Sequence, residues 1–219
     1  MLGMTLLISV SCKKKNDDTN NPPVTTVTDQ DGNVYHTVTI GTQVWMVENL
    51  KTTKYRNGDG IQNVTDSIAW WNLTSGAYCI YRNDVNNLAT YGRLYNWYAV
   101  IDSRKLTPAG WHIPTDAEWT TLTDYLGSTC GDKLKEKGPN HWGGDNTATN
   151  ETGFTALPGG NRAGWQGEFL YIGQYGSWWS STDDGSHTWI REIVGWDDGV
   201  LKNPANAKSS GYSVRCVKD

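Results

Sequence analysis

The side chains able to do chemistry in this 219-residue chain are few: four His, four Cys, 23 acidic residues and 12 Trp. His36, His112, His141 and His187 form no HxH or HxxxH pair, so no zinc site is indicated. Cys79, Cys130 and Cys216 lie far apart, without CxxC or other metal-ligand spacing. No GxSxG, P-loop or GxGxxG is present, and Pro158-Gly159-Gly160 reads as a turn. His112 has Asp116 and Glu118 nearby in sequence, but acid–base work would need one of them in a cleft. Glu118 already has a structural use in a capping box, and no catalytic residue is assigned. The densest group of oxygen ligands runs from Asp145 to Glu151. Asp145, Asn150 and Glu151 could hold a structural Ca²⁺, which takes about six to eight oxygens. A polar loop with Asx turns accounts for the same residues and is the preferred reading, so no cofactor is assigned.

The aromatics carry more. The 12 Trp stand against only 2 Phe. Trp combines a large apolar body with an N–H that needs a partner, which suits wet-edged folds and ligand platforms. Trp45, Trp97, Trp111 and Trp119 fall at helix or strand positions and are expected in the core. Trp142, Trp165 and Trp196 lie in Gly-rich stretches. Trp178 and Trp179 are adjacent, so in a strand they point to opposite faces, one toward the core and one free to be exposed. These last five are the candidate ligand-binding residues. A net charge of -4 gives no positive field for nucleic acid.

Positioning such residues requires a body of mixed elements. Val34–Ile40 and Gln43–Val47 are β-prone runs joined by Gly41-Thr42, which predicts a type II′ hairpin. Leu94, Trp97, Tyr98 and Ile101 predict a helix within Tyr91–Ser103. A second helix is marked by the box Thr115-Asp116-Ala117-Glu118, the stripe Trp119, Leu122, Leu126, and Gly127 as its stop. Further strands are expected at 169–172, 178–181, 189–194, 200–202 and 211–217, with Asp197-Asp198-Gly199 turning between two of them. Helices segregated from antiparallel strands make an α+β plan.

Aromatics are absent before Tyr35. Residues 1–11 read as a signal peptide: the apolar run is too short to span a bilayer core and ends in small residues. Ser9-Val10-Ser11-Cys12 resembles a bacterial lipobox, which implies cleavage before Cys12 and its acylation. Residues 12–26 are rich in Lys, Asn, Asp, Thr and Pro and read as a flexible tether. The charged residues just after Cys12 resemble those of lipoproteins exported to the surface of Bacteroidota-type bacteria, implying an outer-membrane lipid anchor.

Six blocks in the body resemble one family: "DGNVYHTVTIGTQVWMVENLKTTKYRNGD", "YGRLYNWYAV", "GWHIPTDAEWTTL", "GFTALPGGNR", "WWSSTDD" and "GYSVRCVKD". The chain over residues 27–219 is similar to the Fibrobacter succinogenes major paralogous domain. That resemblance implies a C-type lectin-like single domain, with a block "IPTDAEW" also similar to formylglycine-generating, sulfatase-modifying proteins. The reactive Cys pair of those enzymes has no counterpart here, nor do the Glu-Pro-Asn and Trp-Asn-Asp triplets of calcium-dependent lectins. "AYCIY" and "VRCVKD" resemble family blocks, and on that basis Cys79 and Cys216 are expected to pair, leaving Cys130 free. The function expected is a non-enzymatic surface binding or adhesion module for a glycan or an envelope protein. A structural subunit of an outer-membrane complex and a diverged modifying enzyme are the alternatives.

Overall fold

The computed structural model describes residues 25–143 and 146–219. Cys12, the signal segment, most of the tether and Asp145 lie outside them. The first strand, β1 (Thr26–Thr28), already pairs with β2 (Val34–Ile40), so the folded body starts inside the expected tether. β2 and β3 (Gln43–Met46) form the expected hairpin, closed by Ile40 opposite Gln43. Gly41 supplies the positive φ of +60° that the first turn position needs, while Thr42 stays at negative φ.

After β4 (Gln62–Asn63) come α1 (Ser67–Trp71), β5 (Ala77–Cys79), a 3₁₀ turn at Tyr81–Asn83 and α2 (Asn86–Tyr91). The helix expected across Tyr91–Ser103 is replaced by β6 (Leu94–Tyr95) and the single turn α3 (Trp97–Val100). Asn96 separates them: its Oδ1 accepts from Ala99 N at 3.0 Å and from Ala77 N at 3.0 Å. Capping one element and holding a neighbouring strand with one oxygen outweighs the helical stripe. β7 (Trp111–His112) leads into α4 (Asp116–Leu126), whose capping box and glycine stop form as expected. α5 (Cys130–Leu134) follows, then β8 (Asn161–Arg162), β9 (Phe169–Leu170), β10 (Tyr175–Asp183), β11 (Thr188–Val194), β12 (Leu201–Pro204) and β13 (Val217–Lys218). Of the strand expected over 211–217, only its last residue belongs to β13, while Gly211, Tyr212 and Ser213 make isolated bridges to β8, β6 and β10.

The sheets are β1-β2-β3-β13-β7, β10-β11-β12, β4-β5-β6 and β8-β9. The early hairpin and β13 therefore share one sheet. β10 has apolar packing on both faces. Trp179 joins a cluster with Trp97, Tyr95 and Ile190, and Trp178 joins another with Trp45, Trp119 and Phe154. Ring centroids of 4.8 Å for Trp45–Trp119 and 5.2 Å for Trp97–Trp179 put these indoles in direct contact. Each such pair adds about 0.5–1.5 kcal/mol beyond its burial.

Two buried arginines, Arg162 and Arg215, form no salt bridge among the described residues. Arg162 lies between Trp70 and Phe169, at 4.5 and 4.7 Å, and donates to the carbonyls of Gly167, Val64 and Thr65. Arg215 stacks on Phe154 at 4.2 Å and donates to Asn49 Oδ1 and Phe154 O. Burial pulls the Arg215 pKa down to about 9, opposed by the charge of Glu48, so the guanidinium stays charged at neutral pH.

The expected Cys79–Cys216 bridge is not formed. Cys79 sits with Trp70 and Leu94, and Cys216 with Tyr95 and Val214, in separate apolar clusters. Both are free and buried, as is Cys130.

Candidate functional site

Period-two alternation in short strands places the polar side chains that have no structural task. In β8, Arg162 turns into its aromatic sandwich, so Asn161 turns the other way and lines a groove of about 370 Å³. Register does the same in the β10-β11-β12 sheet. Tyr175 opposes Val194, Ser177 opposes Glu192, and Ile190 opposes Asn203, so Tyr175, Glu192 and Asn203 share one face. All three line the groove, with Tyr171 and Asn206 at its edge and Tyr212 beneath.

Asn161 is 8% exposed as a residue, and its side-chain amide opens onto the groove, where solvent reaches it. A ligand hydroxyl entering the groove can take the place of water on this amide. Glu192 is fixed by two donors, Ser177 Oγ at 2.8 Å and Asn203 Nδ2 at 2.6 Å. Each carboxylate oxygen keeps acceptor capacity toward the groove. Burial, with the Glu192 charge nearby, pushes the Tyr212 hydroxyl up to about 12, so it stays protonated.

Aromatic rings run along the rim. Tyr171 stacks on Tyr175 at 4.7 Å, and Tyr175 meets Trp196 edge to face at 5.3 Å. Trp196 is 68% exposed and Tyr171 47%. Tyr171 holds a φ of +66°, a left-handed conformation that costs a bulky residue of order 1–3 kcal/mol. The turn enforces it, because Gln174 N and Tyr175 N both donate to Tyr171 O at 3.0 Å. The strain seats the Tyr171 ring against Tyr175. Convergent amides, one fixed carboxylate and exposed ring faces can hold a polyhydroxylated ligand: hydroxyls pair with Asn161 and Glu192, and apolar ring edges lie on the aromatics.

The Fibrobacter succinogenes major domain matches residues 38–218. The chain belongs to that family. No curated protein and no solved structure matches it.

Within this Fibrobacter succinogenes major domain, the five candidate Trp residues divide. Trp196 is exposed and packs edge to face on Tyr175, but does not itself line the groove. Trp165 is exposed, at 46%, but does not line the groove. Trp142, Trp178 and Trp179 are buried, which corrects their assignment. The loop around Trp142 folds back so that its indole N–H donates to Ala156 O at 2.9 Å, with Lys135 over its ring. Trp178 donates to Asn49 Oδ1 and Trp179 to Tyr95 O, because the sheet is packed on both faces. The groove residues Tyr171, Tyr175, Asn161, Glu192 and Asn203 were not singled out in the sequence. The alternation of β10 around Tyr175 was the one local signal for any of them.

Among the described residues, no group of three or more His, Cys, Asp or Glu is placed to hold a metal. Asn150 is used within its own loop, donating to Thr155 Oγ1 at 2.9 Å, and exposed Glu151 faces Lys133 at 3.5 Å.

His112 lines a separate cavity of about 320 Å³ with Arg56, Thr107 and Ser181. Its Nδ1 meets Asp219 Oδ1 and its Nε2 meets Glu118 Oε1, both at 2.7 Å. Neither ring nitrogen is left for substrate. Burial would lower its pKa, but the hydrogen bonds to Asp219 and Glu118 outweigh that and raise it. Burial pushes the Cys79 thiol up to about 12 and also raises Cys130 and Cys216, the reverse of an activated nucleophile.

Proposed function

We propose that this protein is a non-enzymatic, lipid-anchored binding or adhesion module of the bacterial outer membrane, facing the cell surface, with a glycan as its ligand. The carrying observation is the groove itself: it is lined by the Asn161 amide, a Glu192 carboxylate fixed by Ser177 and Asn203, and the Tyr171–Tyr175 ring pair, with exposed Trp196 packed against Tyr175. A C-type lectin-like architecture is part of the reading. The sharing of one sheet by the early hairpin and β13, and the placement of the groove on a second small sheet, support it. The lipobox ending at Cys12 supports the anchoring.

A glycan array probed with the labelled soluble body tests the binding. Specific spots are expected. On them Asn161→Ala and Tyr175→Ala each bind about tenfold more weakly, as loss of a buried hydrogen-bond partner or a stacking face implies. Trp165→Ala, outside the groove, is expected to bind like the unaltered protein. An empty array, or spots indifferent to Asn161→Ala and Tyr175→Ala, overturns the proposal.

A further inference from the structure

We infer that the groove takes a single, soluble, uncharged glycan chain bound along its length, and neither an anionic glycan nor a flat crystalline surface; this rests on the glycan-binding reading above. The first support is charge. Among the described residues, no Lys, Arg or His lines the groove, while Glu192 does. Beyond the rim, Trp196 also borders a second hollow of about 410 Å³ that contains Asp132, Asp197 and Asp198. Among the described residues its one lining cation, Lys135, is already held by Asp132 Oδ1 and by Asp197 O, both at 2.8 Å, with its side chain only 3% exposed. A uronate or sulfate would meet uncompensated like charge along this path.

The second support is shape. Tyr171 and Tyr175 line the groove, Trp196 lines the second hollow, and the Tyr175–Trp196 contact sets these ring faces side by side. Its rings are not coplanar: Tyr171 and Tyr175 are turned by 40°, and Tyr175 and Trp196 by 81°. A flat lattice of parallel chains needs rings in one plane to lie on. A lone chain that turns between units can meet these faces in succession. Placement reinforces this. Tyr175 opposes Val194, and Gly195 N donates to Gln174 O, so Trp196 follows the sheet edge at a fixed distance from the groove. The angle between the platforms is thus built by paired backbone.

The experiment is titration calorimetry of the soluble body against named probes. These are α-1,4-gluco-, β-1,4-gluco- and β-1,4-manno-oligosaccharides of increasing length, oligogalacturonate as the anionic probe, and microcrystalline cellulose by pull-down. The expected result is affinity for an uncharged ladder that rises with length, with oligogalacturonate and cellulose unbound. Trp196→Ala is expected to remove the gain from added units, about fivefold for one lost stacking face. Asn161→Ala weakens every length. Binding of oligogalacturonate or cellulose as strong as that of the uncharged ladder overturns the inference while leaving glycan binding in place. So does a length gain that survives Trp196→Ala. If no probe binds, or if Asn161→Ala changes nothing at any length, the glycan-binding reading itself falls and the inference falls with it.

Discussion

His112 shows how a residue type suggestive of catalysis is consumed by structure. Two carboxylates, the nearby Glu118 and the distant Asp219, close on its two ring nitrogens. The folded state therefore prefers imidazolium, and its pKa lies above the ordinary 6.5. Such a group stabilises fully below 6.5, and its contribution fades as pH rises through the raised folded value. Glu118 runs the other way. Burial would raise its pKa, but donors from Thr115 and His112 hold it below 4.5, so its contribution is lost as pH falls through the lowered value. The clamp is strongest between about 4.5 and 6.5. His112→Gln is accordingly expected to lose more stability at pH 5.5 than at pH 9 in urea unfolding. An equal loss at both would sink the argument. The sequence displayed His112, Asp116 and Glu118 together, but Asp219 reaches His112 only through the pairing of β13 with β7. The groove was hidden for the same reason. Asn161, Tyr175, Glu192 and Asn203 have no common motif: register brings the last three to one face, and the Gly160–Gly176 bridge brings β8 with Asn161 alongside β10.

At the scale of elements, legibility followed how local the decisive interaction is. α4 was readable because its signals lie within one turn of its ends. Thr115 Oγ1 accepts from Glu118 N at 3.2 Å, and Glu118 Oε2 accepts from Thr115 N at 2.8 Å. Trp119, Leu122 and Leu126 then bury one stripe. The Asp116 carboxylate, held below the usual carboxylate range by Lys202 and Arg191 despite its burial, ties the helix start to β11 and β12. Thr115→Ala is expected to cost about 1 kcal/mol, lowering the melting temperature by about 2–4 °C for a body of this size. Calorimetry checks it, and a change below half a degree would show the cap to be redundant with the Asp116 ties. The expected helix at Tyr91–Ser103 failed because the decisive partner of Asn96 is Ala77, nineteen positions away. The Trp178-Trp179 pair was misread for a related reason. Alternation correctly put the two rings on opposite faces, but whether a face meets water depends on what the rest of the chain stacks there.

For the molecule as a whole, the question is whether anchoring leaves the groove free. The described body begins at β1, an edge strand of the five-stranded sheet, while the groove is built from β8, the β9–β10 turn and the β10-β11-β12 sheet. No residue of β1, β2 or β3 lines it. A stretch of about fourteen residues after Cys12 spans at most roughly 45 Å, enough for the body to stand off a membrane. Acylation of Cys12 would then hold the protein at a surface without occupying its groove. Cys12→Ala is expected to abolish incorporation of a labelled fatty acid and to move the protein from the membrane fraction to the soluble one. The groove predicts a companion result: the released Cys12→Ala protein should keep the glycan affinity of the soluble body, because nothing in the groove depends on the anchor. Persistent fatty-acid label would refute the lipobox reading. Lost glycan affinity in a folded, released protein would instead show that the anchored segment contributes to the site, and would move the ligand contact toward β1.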